Sequence, residues 1–105
     1  MDRDELLARV KVALREAFGD RLRGVILYGS EARGEAETDS DIDLLVLLQS
    51  QDSYWDDVGT CIHALYPLIL ENDGRPIHAK PVTVDEYEAQ VWPLYQAVKE
   101  EGIAL

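Results

Sequence analysis

Two carboxylates one residue apart, Asp41 and Asp43, sit at the head of an apolar run, Leu44 to Leu48. On a strand their side chains share one face while Ile42 turns into the core. Neighbouring carboxylates repel and lose hydration when a strand buries them. A hard divalent cation relieves both costs, and Mg²⁺ takes one or two carboxylates together with substrate phosphate oxygens. Upstream, a second apolar run, Val25-Ile26-Leu27-Tyr28, ends at Gly29-Ser30. Gly29 lets a ligand approach the main chain, and Ser30 can cap a following turn whose free N–H groups face an anion. Glu31-Ala32-Arg33 would form that turn and Gly34 would end it. The two halves propose one site, with Gly29 and Ser30 for a triphosphate and Asp41 and Asp43 for the metal it carries.

The ten residues between Ser30 and Asp41 supply further candidates. Arg33 is the basic side chain there, suited to a phosphate or to an ion pair with Glu35 or Glu37. Ser40, beside Asp41, joins the nucleotide-binding set, although its hydroxyl equally suits the loop backbone. Tyr28 fits a half-buried strand aromatic better than a catalytic group. Cys61 and His63, one residue apart on a helix, face different ways and make a poor metal pair, so a core thiol and a surface imidazole are expected.

The elements that must hold these residues follow from periodicity. Residues 2–18 read as an amphipathic helix, with Leu6, Leu7, Val10, Ala13, Leu14, Ala17 and Phe18 on one face, capped by Asp2 or Asp4 and stopped by Gly19. The first strand ends at Tyr28 and the second at Leu48. A helix over Tyr54 to Leu70 would bury Trp55, Val58, Ile62, Leu65, Tyr66 and Ile69, with Pro67 kinking it or ending it near Tyr66. Glu71 to Gly74 reads as a turn and Ile77 to Val84 as a third strand, placed at a sheet edge or strand end by Pro81. A last helix from Asp85 to Gly102 would carry Tyr87, Val91, Leu94, Tyr95 and Val98 inward and bend at Pro93, with Ile103 to Leu105 trailing off.

At 105 residues, 47% hydrophobic and 30% charged, the sequence fits one globular domain over 1–105, an α/β (α+β) chain with a small mixed sheet and helices packed on it. The net charge of −11 argues against broad nucleic-acid binding, which depends on basic side chains at phosphates. The net negative charge is concentrated after residue 40, where Arg75, Lys80 and Lys99 are the basic residues. It reads as a solvated surface or as a face meeting a basic partner. One cysteine excludes an internal disulfide, and no apolar run is long enough for a membrane span. A soluble, cytoplasmic protein is expected, and nothing bars a homo-oligomer.

Gly-Ser, ten residues and Asp-x-Asp between two apolar strands form a pattern that resembles the DNA polymerase beta superfamily of nucleotidyltransferases. GSEARGEAETDSDIDLLV is similar to its minimal nucleotidyltransferase (MNT) branch, whose members pair with HEPN-domain proteins. Ala32, Arg33, Gly34, Ser40, Asp41, Ile42, Asp43 and Leu44 match that branch, whereas Glu31 and Glu37 are more acidic than it. The resemblance implies transfer of a nucleoside monophosphate, AMP, from an NTP, ATP, to a hydroxyl, with Asp41 and Asp43 on one or two Mg²⁺ ions. It also implies an antitoxin whose partner is a HEPN-domain RNase toxin. The superfamily places a third carboxylate on a neighbouring strand. PIHAKPV, over 76–82, holds no acid, and His78 aligns there as a candidate base or an ordinary strand histidine. That departure gives a second reading, a binding module that neutralises its partner by contact alone. Transfer to a small molecule such as an aminoglycoside is a third, disfavoured because no substrate-binding domain is expected beside a single domain over 1–105.

Overall fold

A computed structural model describes residues 2–36 and 40–105. Helix α1 spans Arg3–Phe18, and Asp2 caps it by accepting the Glu5 amide at 2.8 Å. Gly19, at φ 59°, closes it in a conformation that other residues rarely take. A single 3₁₀ turn, Gly19–Arg21, feeds strand β1, Leu22–Tyr28. The short helix α2 (Ser30–Arg33) and strand β2 (Ile42–Leu48) follow, then helix α3 (Tyr54–Glu71) and strand β3 (Ile77–Thr83). The chain finishes with α4 (Val84–Ala89), α5 (Pro93–Glu101) and the two-residue strand β4 (Ile103–Ala104).

The strands form one mixed sheet in the order β3-β2-β1-β4, with β2 and β3 parallel and the other pairs antiparallel. The period of two along the strands divides the apolar residues between the sheet's faces. Ile42, Leu44, Val46 and Leu48 join Val25 and Leu27 against α1 and α3, meeting Leu6, Val10, Leu14, Cys61 and Leu65. Each fully buried leucine here contributes about 1.5–3 kcal/mol by leaving water. Leu45 and Val82 face the other way, onto Tyr87, Tyr95 and Val98 of α4 and α5. Both faces of β2 are thus covered beyond Asp43, which is why the run from Leu44 to Leu48 is apolar without a break.

β3 lies at the sheet edge, as Pro81 requires. Ile42 donates its amide to Pro76 O, and the parallel register then turns the backbone of residues 77, 79, 81 and 83 outward. Proline at 81 therefore forfeits no ladder bond.

Several expectations are corrected. Pro67 does not end its helix, because α3 runs on to Glu71. Its buried stripe is Asp57, Cys61, Leu65 and Leu68, while Trp55, Ile62 and Tyr66 are exposed. Apolar residues occupy two stripes of this helix, and periodicity alone does not choose between them. Asp57 decides the rotation: its Oδ1 accepts from Arg21 at 2.9 Å, and a buried carboxylate requires such a partner. The single kinked C-terminal helix is two helices, separated where Gln90 takes a left-handed φ of 54° and Pro93 opens α5. Val91 and Leu94, expected inside, are exposed as a result. Finally, Ile103 and Ala104 do not trail off but pair antiparallel with Leu27 and Ile26.

Candidate active site

The two apolar runs meet end to end. Tyr28, the last residue of β1, lies opposite Asp43 in β2, so the antiparallel register brings the glycine turn to the carboxylates. Gly29 has φ 76° and ψ −155°, a region open to glycine alone. A Cβ at Gly29 would lie 2.6 Å from Asp43 Oδ2, so the main chain passes the carboxylate in direct contact. Ser30 is the first residue of α2 and not its cap; Gly29 occupies the cap position. Glu35 donates its amide to Ser30 O at 2.9 Å, and Gly34, at φ 73°, ends the turn as expected.

Asp41 precedes β2 and is exposed, whereas Asp43 is half-buried within it. Burial pushes the Asp43 carboxyl above its ordinary value; His78 opposes that shift and Asp41 adds to it. The Tyr28 phenol is also pushed up, by burial and then by the Asp43 charge. Across the parallel ladder His78 pairs with Asp43, and its Nε2 stands 3.0 Å from Asp41 Oδ2. Asp41, Asp43 and His78 therefore form one group, with Gly29 against its inner side. β3 brings no acid to it between Ile77 and Thr83.

Asp41 and Asp43 offer oxygen donors of the kind Mg²⁺ accepts alongside substrate phosphates, and the burial that raises the Asp43 carboxyl is a cost a bound cation would offset. His78 is a nitrogen donor and does not fit that ion. Among the described residues, no three or more His, Cys, Asp and Glu side chains gather as a metal centre.

The loop cation makes ion pairs within the chain. Arg33 Nε donates to Glu35 at 3.1 Å and its Nη1 to Glu101 at 3.3 Å. The Glu35 pair was one of the two expectations, the Glu101 contact was not, and Glu37 lies outside the described residues. Ser40 contributes through its backbone, since Arg75 Nε donates to its carbonyl at 2.6 Å.

Arg75 is the positioning residue that sequence reasoning missed. Besides Ser40 it holds Glu31 at 2.8 Å, and Glu31, only 8% exposed, also meets Arg3 at 3.4 Å. One guanidinium thus ties the turn after Gly29 to the residue before Asp41. Its partners lie 44 and 35 positions away, beyond any local pattern. Cys61 is buried, with its thiol pushed up to about 12, and His63 is exposed, both as expected.

Comparison with known proteins agrees with this geometry. Residues 7–104 match the nucleotidyltransferase domain family. A chain assigned as a protein adenylyltransferase in Methanocaldococcus jannaschii is 26% identical over 107 residues, spanning 100% of this chain and 99% of its own. The protein adenylyltransferase MntA of Thermococcus cleftensis is 51% identical over 43 residues, which cover 41% of each chain. Among solved structures, one described as a minimal nucleotidyltransferase superposes with a TM-score of 0.57 at 28% identity, covering 100% of this chain and 97% of that one. A toxin–antitoxin crystal structure with AMP-PNP shares the fold, with a TM-score of 0.61 at 21% identity over 92% of this chain and 69% of that one. Among the described residues no helix is long and apolar enough to cross a membrane.

Proposed function

The chain belongs to the nucleotidyltransferase domain family, and from that premise we propose that it moves AMP from ATP to a hydroxyl of a partner protein. In this reading the protein is the antitoxin of a HEPN-domain RNase toxin and silences it by modification. The observation that carries it is the contact between the glycine turn and the carboxylate pair, with a Cβ at Gly29 only 2.6 Å from Asp43 Oδ2. A phosphate turn and a metal-binding pair in touch can hold the two ends of one triphosphate.

Gly29 and Ser30 bind the terminal phosphates, and the absence of a side chain at Gly29 lets them close on the backbone. Asp41 and Asp43 would hold Mg²⁺, which supplies stabilisation of the charge developing on the transferring phosphoryl group. The acceptor oxygen forms its bond to the α-phosphorus as the bond to pyrophosphate breaks. His78 takes the hydroxyl proton in the tautomer whose Nε2–H donates to Asp41 and leaves Nδ1 as the acceptor. Arg75 keeps the turn and Asp41 in register through Glu31 and Ser40. The adenylyltransferase relatives and the toxin–antitoxin neighbour support the acceptor and partner classes.

The absence of an acid along β3 favours a second reading, in which the protein binds nucleotide and partner without turnover. One experiment separates them. The protein is incubated with α-labelled ATP, Mg²⁺ and the chain that co-purifies from its native host, beside the Asp41→Asn/Asp43→Asn variant. Label reaching the partner, and lost in the variant, supports transfer. A partner that is bound and inhibited yet unlabelled with any of the four NTPs leaves the binding module.

A further inference from the structure

The sheet face that carries Asp43 also carries a groove that neither the glycine turn nor the carboxylates explain. It is bounded by Lys80, Glu86, Trp92, Leu94 and Tyr95 and has a volume of about 340 Å³. That lies within the ~300–1,000 Å³ range of small-molecule sites. Side chains alternate along β3, so Lys80 stands on the same face as His78, the partner of Asp43. Two residues of strand advance about 6.6 Å. The groove therefore opens within one nucleoside's reach of the carboxylate pair.

Its walls are firm. Tyr95 is buried against Tyr87, ring edge toward ring face with centroids 6.0 Å apart. The Lys80 ammonium lies over the Tyr54 ring, 5.1 Å from its centroid. Trp92 precedes Pro93, whose ring fixes the backbone at the start of α5. The indole is nevertheless 58% exposed, with exposed Val91 and Leu94 beside it. An aromatic plane held on a fixed backbone and left uncovered by the fold suits a second aromatic plane. Lys80 and Glu86 add a donor and an acceptor at its margin.

We propose that this groove is the nucleobase site, with the base stacked on Trp92 and its edge met by Lys80 and Glu86. The proposal rests on the nucleotidyl-transfer reading and deepens it. Its direction follows from the strand order. Terminal phosphates at Gly29 lie at the end of β1, the carboxylates follow on β2, and the next strand in that line is β3. A nucleotide laid across the strands in this order carries its base to Lys80 and Trp92.

Trp55 and Trp92 are the two tryptophans, so Trp55→Phe leaves Trp92 as the single indole reporter. With Mg²⁺ present, ATP is expected to quench Trp92 fluorescence, while inorganic tripolyphosphate competes with ATP without quenching. By calorimetry, Trp92→Leu is expected to weaken ATP on the order of tenfold, the loss of one stacked base, and to leave tripolyphosphate affinity unchanged. Trp92→Phe, which keeps an aromatic plane, should recover most of the affinity. ATP that binds Trp92→Leu as tightly as the parent overturns the proposal, and loss of label transfer alone would assign the groove to the acceptor. If neither ATP nor tripolyphosphate binds the parent protein, the nucleotidyl-transfer reading fails and the base site falls with it.

Discussion

Replacing Gly29 by alanine tests the contact on which the site depends. Two effects separate by magnitude. At φ 76° and ψ −155° an alanine is strained, at a cost of about 1–3 kcal/mol. For a domain near this size each kcal/mol lowers Tm by roughly 4–8 °C. The second effect is local. The new Cβ would meet Asp43 Oδ2 at 2.6 Å, whereas ordinary contact begins at 3.4 Å, so the carboxylate must retreat by roughly 0.8 Å. A misplacement of about 1 Å in a transfer site costs ~10²-fold in rate. Gly34→Ala is the matched control, because Gly34 also has a positive φ, 73°, but nothing lies within 4 Å of its would-be Cβ. Thermal melting should show both variants destabilised, Gly34→Ala by about 1–2 kcal/mol of left-handed strain. Label transfer from α-labelled ATP, measured well below both melting points, should fall ~10²-fold in Gly29→Ala and only a few-fold in Gly34→Ala. Equal transfer by the two variants would refute the claim that the glycine serves the Asp43 carboxylate.

Three further outcomes follow from the same geometry. The Asp43 carboxyl is raised, first by burial, so its ionised form is the one the fold disfavours: stability is full below the ordinary value of 3.8 and is lost as pH rises through the folded value. Asp43→Asn should therefore raise Tm at pH 7 and lose that advantage in acid, and a lower Tm at neutral pH would contradict this. Arg75→Ala leaves Glu31 with Arg3 alone and should cost about 2–3 kcal/mol, and a cycle with Glu31→Gln should show coupling above ~0.5 kcal/mol; strict additivity would remove the tie between the two segments. The Cys61 thiol, buried and pushed up to about 12, should resist an aromatic disulfide reagent at pH 8 until denaturant is added, then react once per chain.

What the sequence made legible was local. The short apolar runs Val25 to Tyr28 and Leu44 to Leu48 declare themselves as strands, and Gly29 marks the turn because no other residue takes its backbone angles. Asp41 and Asp43 stand out because an apolar strand has no structural use for them. Arg75 left no comparable mark. It is one of three basic residues after position 40, and its two partners lie 35 and 44 positions away along the sequence. β4 was invisible for another reason: Ile103 and Ala104 are both exposed, so no alternation announces them.

The misreading of α3 and the splitting of the C-terminal helix bear on function as well as on prediction. Periodicity assigns apolar residues to the core by default, so Trp55, Ile62, Tyr66, Val91 and Leu94 were all placed inside. The fold instead spends its burial on Cys61, Leu65 and Leu68 in α3 and on Tyr95 and Val98 in α5. Gln90 and Pro93 turn α5 so that Trp92 ends beside Lys80 rather than beneath the sheet. The continuous helix that periodicity predicts carries Val91 and Leu94 inward. The broken one leaves an indole facing the strand that carries His78, two residues from the carboxylate pair's partner. The departure from regular helical burial and the candidate base site are thus one feature of the chain, and the Gln90–Pro93 break is what joins them.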